Sequence, residues 1–127
     1  MLSSHYRFHS RGGVNYVYRH GKSLRGKKLT LIYMKNARRF QRFAVVVSKK
    51  VCKTAVGRNR IRRRVYEAIR LYKKSHNYND YNDHIFIVYD QSFRDCDFSE
   101  IFTLVEKLLN KSASTLSSSV TKSAHSS

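Results

Sequence analysis

The side chains able to do chemistry in this 127-residue sequence fall into two sets. The first is the raw material of hydrolysis. His5, His9, His20, His76, His84 and His125 are scattered, and none stands in a His-x-Glu or His-Glu-x-x-His arrangement. Asp80, Asp83, Asp90, Asp95 and Asp97 would have to meet in space to hold two metals for a metal-assisted cleavage. No Gly-rich phosphate loop is present. The second set is dense and ordered. The stretch GRNRIRRRVYEAIR, Gly57 to Arg70, carries Arg58, Arg60, Arg62, Arg63, Arg64 and Arg70. From Lys49 to Lys74 eleven bases face one acid, Glu67. Solvated faces usually mix signs; this one does not. Guanidinium forks bind phosphate oxygens in pairs and stack on bases, so the chemistry favoured is the binding of a polyanion, not bond cleavage by the chain itself.

The whole composition agrees. Lys and Arg total 26 against 8 Asp and Glu, a formal charge of +18. Solubility needs far less, and nucleic acid stands well ahead of a membrane surface as the reason. Cys52 and Cys96 are too few for a disulfide framework or a zinc site and read as reduced thiols. Met1 to Ser10 lacks the apolar run of a secretory signal, and no stretch approaches the ~20 apolar residues of a membrane span. The expected compartment is the cytoplasm.

Those arginines need a scaffold. Residues 1–13 read as an irregular N-terminal segment, 14–111 as a single RNA-binding α/β domain, and 112–127 as a Ser/Thr-rich, disordered tail. Val14 to Arg19 predicts a short helix ending near Gly21. Leu29 to Met34 predicts a strand, with room for another around Ser23–Lys28. Lys35 to Arg39 reads as a basic turn. RFAVVVS, Arg42 to Ser48, is a β-branched run expected to be buried on both faces. A basic helix follows, starting within Thr54–Arg58 and running to about Lys74. Ser75 to Asp83 reads as a polar loop, and IFIVY, Ile85 to Tyr89, as a buried strand. Asp97 with Glu100 three residues on marks a helix start. Phe98, Ile101, Phe102, Val105, Leu108 and Leu109 then share one face.

At 100° per residue from Ile61, the side chains of Val65, Ala68 and Tyr72 lie within about 40° and Ile69 at about 80°. Asn59, Arg63, Arg70 and Lys74 cluster on the opposite side. Arg62 and Lys73 take one flank, Arg60 and Arg64 the other. The helix therefore packs by one stripe and offers the rest as cation. Glu67 can pair with Arg63 or Arg70. Asn59, a poor helix former, either contacts RNA or fixes the helix start.

The sequence resembles the protein subunit of bacterial ribonuclease P. The resemblance rests on Ser48-Lys49-Lys50-Val51 followed by Arg58-Asn59-Arg60-Ile61-Arg62-Arg63, with Ala55 three positions earlier. It is supported by Val17-Tyr18-Arg19-His20-Gly21-Lys22-Ser23, by IFIVY and by the last amphipathic helix, and covers roughly residues 5–111. It implies an α+β fold, a two-layer α/β sandwich with a mixed sheet of about four strands. The implied order is α-β-β-β-α-β-α, with a left-handed βαβ crossover against the usual rule. In that family an RNA subunit cleaves the 5′ leader from precursor tRNA, using Mg²⁺ bound mainly by RNA. Carried over, Arg58, Asn59, Arg60, Arg62 and Arg63 would meet the catalytic RNA, with Arg64 and Arg70 on the same surface. Tyr18, Lys49, Lys50 and Tyr33 would meet the leader. Ile32 is the alternative to Tyr33, because a one-residue slip reverses the face a strand residue takes. The implied partners are the catalytic RNA and precursor tRNA, with no membrane and no obligate protein partner.

Three positions depart from the family pattern. Val14 stands where a second cleft aromatic is frequent, Cys52 replaces an aliphatic residue or Gly and reads as a small buried thiol, and Tyr66 takes a place usually basic. Tyr66 either stacks on RNA or weakens one phosphate contact. Composition alone would equally suit a ribosomal or generic RNA-binding protein. DNA binding is weaker, since the basic helix lacks a helix-turn-helix partner. With about six phosphate contacts on the basic face, log Kobs for RNA should fall against log[salt] with a slope of about −4 to −5. Binding isotherms across a salt series measure it, and a slope near zero would remove the polyanion reading.

Overall fold

The computed structural model describes residues 11–35, 41–75 and 82–126. Along the chain come α1 (Arg11–His20), β1 (Lys22–Arg25), β2 (Leu29–Lys35), β3 (Arg42–Val47), α2 (Ala55–Ser75), β4 (Asn82–Val88), a 3₁₀ turn (Gln91–Asp95) and α3 (Phe98–Ser126). This is the α-β-β-β-α-β-α order, with the extra strand realised as β1. Among the described residues the strands form one mixed sheet in the order β1-β2-β4-β3. The β1–β2 and β2–β4 pairs are antiparallel. The β3–β4 pair is parallel and is joined through α2.

Period-two alternation divides the sheet residues between two cores. Leu29, Leu31 and Tyr33 of β2, Phe43, Val45 and Val47 of β3, and Phe86 and Val88 of β4 face the helix layer of α2 and α3. Ile32, Ala44 and Ile85 face the other way, where Val17 of α1 closes a second, smaller cluster with Val14, Met34 and Ile87 around it. Docking of α1 depends on a missing side chain. A Cβ on Gly21 would lie 2.7 Å from Val17 O, 2.8 Å from Ile32 Cγ2 and 2.9 Å from Tyr33 O. Glycine lets the end of α1 lie directly on β2.

β4 starts earlier than its apolar run. Asn82, Asp83 and His84, the first two read as loop, are buried strand residues. Asp83 is tolerated there because Arg42, its register partner on β3, grips it through both oxygens: Nε–Oδ1 at 2.8 Å and Nη2–Oδ2 at 2.7 Å. A forked ion pair of this kind pins the parallel register, where a one-residue slip would reverse every side chain. His84 stacks on Phe43 at 4.6 Å between ring centres.

β3 is not covered on both faces: Val46 is 41% exposed. It ends a row running Arg25, Thr30, Ile87, Val46 across the sheet, on the face where α1 lies. At the far end of the chain, Asp97 caps α3 by accepting from Glu100 N–H at 2.8 Å. The helix backbone is drawn on to Ser126, through the stretch that composition reads as a disordered tail. Among the residues whose side chains are described, its packed face reaches Ser112, which is fully buried. Residues 1–10, most of the basic turn after Lys35 and most of the polar loop after Ser75 lie outside the described residues.

Candidate nucleic-acid interface

The joint between β3 and α2 is built to hold one geometry. Ser48 N–H continues the ladder to Val88 O at 3.2 Å, and Val51 N–H turns the chain back on Ser48 O at 3.0 Å. Ser48 Oγ accepts from Lys50 N–H at 3.2 Å. Val51 is fully buried, so it anchors a turn whose tip, Lys49 and Lys50, stands in solvent. Thr54 then caps α2: its Oγ1 accepts from Gly57 N–H at 3.1 Å and its carbonyl from Arg58 N–H at 3.1 Å. A Cβ on Gly57 would collide with Cys52 Sγ and come within 2.8 Å of Thr54 Oγ1, so a larger residue would have to displace Cys52 or the cap. Cys52 is half-buried, and hydrogen bonding to Thr54, with Arg94 and Arg58 nearby, lowers its thiol pKa. Arg58 ties the joint together, its Nη1 donating to Cys52 O at 3.0 Å and Lys53 O at 2.8 Å.

Along α2 the helical stripe is as expected: Ile61, Val65, Ala68, Ile69 and Tyr72 are buried. The seven predicted RNA-binding positions are not equivalent. Asn59, Arg60, Arg63 and Arg64 are exposed, while Arg58, Arg62 and Arg70 are half-buried. Arg62 Nη1 donates to Asn59 Oδ1, so Asn59 is held by its neighbour, and Thr54 is the cap. Arg64 reaches Cys96 O at 3.3 Å. Arg70 grips Glu67, Nη2–Oε1 at 2.5 Å. Hydrogen bonding from Arg70 pulls the Glu67 carboxyl down to about 2. Its folded value lies below the ordinary 4.5, so the pair stabilises the fold at neutral pH. That contribution is lost as pH falls from about 4.5 towards 2. Of the six arginines of α2, Arg60 and Arg63 are therefore the two with no internal bond among the described residues. Tyr66, about 140° from Ile61 on the helix, is not on the RNA side: it is buried in the main core.

On the other face, α1 presents Tyr18 at 60% exposure beside the buried Val17, and Tyr16 on the opposite flank meets His20 with the rings tilted and their centres 4.5 Å apart. The sheet beyond α1 is the open row ending at Val46, two residues before Ser48. Tyr33 is not part of this surface. It is buried in the core of α2 and α3, and Ile32 is the residue facing α1.

A cationic turn behind a parallel strand thus feeds directly into a clamped basic helix, with an open sheet face beside it. A family model for ribonuclease P matches residues 2–113. The chain belongs to the ribonuclease P protein family. The ribonuclease P protein component of Clostridium botulinum (strain Langeland) is 38% identical over 96 residues, covering 76% of this chain and 84% of that one. That of Clostridioides difficile (strain 630) is 49% identical over 55 residues, 43% of this chain and 47% of the relative. The solved RNase P protein of Staphylococcus aureus superposes with a TM-score of 0.69 at 26% identity, covering 84% of this chain and 94% of that one.

Magnesium, which the ribonuclease P family implies, finds no fitting ligand set among the described residues. Asp83 is taken by Arg42, Glu67 by Arg70, Asp90 by Ser92 and Asp97 by the start of α3. Among the described residues no three metal-ligating side chains converge. A hard cation needs several oxygen ligands, so no step of the chemistry is assigned to a protein-held metal. Nor does any helix among the described residues have the length and apolarity to cross a membrane.

This division of labour among the arginines is measurable. Arg58→Ala should cost about 1.5–3 kcal/mol of stability, since it removes charge-assisted bonds to two carbonyls. Arg60→Ala and Arg63→Ala should leave stability within about 0.5 kcal/mol. Each should weaken RNA binding and reduce the magnitude of the salt slope by about 1. Thermal melts and salt-series binding isotherms on the three variants check both halves.

Proposed function

We propose that the chain is the protein subunit of a bacterial ribonuclease P, working in the cytoplasm. The catalytic RNA docks on the outward face of α2. The single-stranded 5′ leader of precursor tRNA lies on the open row of the sheet beside α1. The RNA performs the cleavage, with Mg²⁺ held mainly by RNA and substrate. The observation that carries this reading is the turn at Lys49 and Lys50. It stands between the two surfaces, with Val46 of the open row on one side and the capped start of α2 on the other.

The chain's own groups suit these tasks. Arg60 and Arg63, with Asn59 oriented by Arg62, supply cations and an amide to an RNA backbone. Lys49 and Lys50 lower the repulsion between docked RNA and incoming leader, which favours Mg²⁺ binding to the complex at lower concentration. Tyr18 offers an exposed ring, and stacking of a leader base on such a ring contributes ~1–3 kcal/mol. Ile87, Thr30 and Val46 supply a shallow floor without a hydrogen-bonding code, consistent with holding leaders of varied sequence. Binding the leader separates precursor from mature tRNA, which has lost it, and so favours both substrate capture and product release.

Reconstitution tests the proposal. The protein mixed with its cognate ribonuclease P RNA should restore precursor tRNA cleavage at Mg²⁺ concentrations too low for the RNA alone. Tyr18→Ala should reduce the preference for precursor over mature tRNA by about tenfold. Cleavage by the protein without the RNA would overturn the assignment. Equal loss of affinity for both tRNAs would remove Tyr18 from the leader site.

A further inference from the structure

Between the second half of α2 and the start of α3 lies a groove that neither surface above uses. It is lined by Leu71, Lys74 and Ser75 of α2 and by Phe98, Ser99, Phe102 and Thr103 of α3, with a cavity volume of about 660 Å³. Phe98 and Phe102 pack on the core by one side only and remain half-buried. Exposed aromatic surface is costly to keep in water. Here it adjoins the arginine row of α2 and has Lys74 in its own lining.

Leu71 lies on the same helical row as Arg60 and Arg64, eleven residues after the first and seven after the second. Arg64 reaches over to Cys96 O at 3.3 Å, two residues before Phe98. The groove is thus the continuation of the arginine row, and Lys74 lines it further on. The one acid on this side of α2, Glu67, is neutralised by Arg70.

We infer that this groove seats an unpaired nucleobase of the RNA docked on α2, stacked against Phe98 and Phe102, with Lys74 placed to meet its phosphate. The inference rests on the docking reading above. Two features select a base over an apolar helix from a protein partner. The groove spans little more than one turn of α2 and under two of α3, whereas a docking helix needs anchors at i, i+3, i+4 and i+7. Its lining joins one cation, Lys74, to the hydroxyls of Ser75, Ser99 and Thr103, which suits a flat aromatic group carried on a phosphate chain. The base would add contact to α3, so that RNA grips both helices of the layer and not α2 alone.

The chain has no tryptophan, so Phe102→Trp places a single, selectively excitable indole in the groove. With the full chain, saturating cognate ribonuclease P RNA should quench that fluorescence, while inorganic polyphosphate, which can engage the arginines but carries no bases, should leave it unchanged. Phe102→Leu, which keeps the packing volume but loses the ring face, should lower RNA affinity about tenfold without changing the salt slope, and its melting curve verifies the fold. RNA binding seen by anisotropy of the labelled RNA, with no quench and with unaltered affinity of Phe102→Leu, would overturn the inference and leave docking on α2 intact. Absence of binding, or Arg60→Ala binding as tightly as the unaltered chain, would overturn the docking reading and this inference with it. A quench by an acidic amphipathic peptide but not by RNA would overturn it in favour of a protein partner.

Discussion

The structure depends on the burial of one stripe of α2. Ile61, Val65, Ala68, Ile69 and Tyr72 sit against the sheet and α3, each at 7% exposure or less. Fully burying a side chain of the Val/Leu/Ile/Phe/Met kind contributes about 1.5–3 kcal/mol. That attraction holds in place a helix whose remaining surface repels itself. Three bonds fix its origin: the Thr54 cap and the two from Arg58 to the carbonyls of Cys52 and Lys53. Tyr72 anchors the other end to α3 through Asn110 at 2.7 Å. The uncompensated charge is a strain that a polyanion relieves, so binding and stability are linked: a ligand that binds only the folded state raises its stability.

A helix anchored at both ends makes the two faces of the sheet parts of one rigid instrument. Gly21 sets α1 on β2, the Arg42–Asp83 fork sets β3 on β4, and the turn at Lys49 and Lys50 leads from that strand pair into α2. A group bound beside α1 and a group bound on α2 are therefore held in a fixed relation through backbone and buried side chains. The proposed function, alignment of a substrate with a catalytic RNA, would draw on that fixed relation.

Much of this was legible in the residues. The 3.6 period separates the stripe of α2 from its cations, and the β-branched runs mark β3 and β4. What failed to show depends on partners distant in sequence. Asp83 looks like loop because it is charged, yet it is buried by Arg42, 41 residues away. The alternation in β2 assigns Ile32 and Tyr33 to opposite faces without saying which face meets α1; that follows from the contact of Gly21 with Ile32. Tyr66 reads as surface on a helical projection, but it belongs to the main core. The arginines are alike as letters. Only their neighbours distinguish Arg58 and Arg64, which bond backbone carbonyls, and Arg70, which bonds Glu67, from Arg60 and Arg63.

One basic helix thus commits some arginines to the fold and, on the proposed reading, leaves others for RNA. Chemical modification by phenylglyoxal, read residue by residue by mass spectrometry with and without the cognate RNA, tests it directly. Arg58 should react poorly in both states. Arg60 and Arg63 should react readily in the protein alone and be protected in the complex. Ready modification of Arg58 in the protein alone, or of Arg60 and Arg63 in the complex, would contradict it.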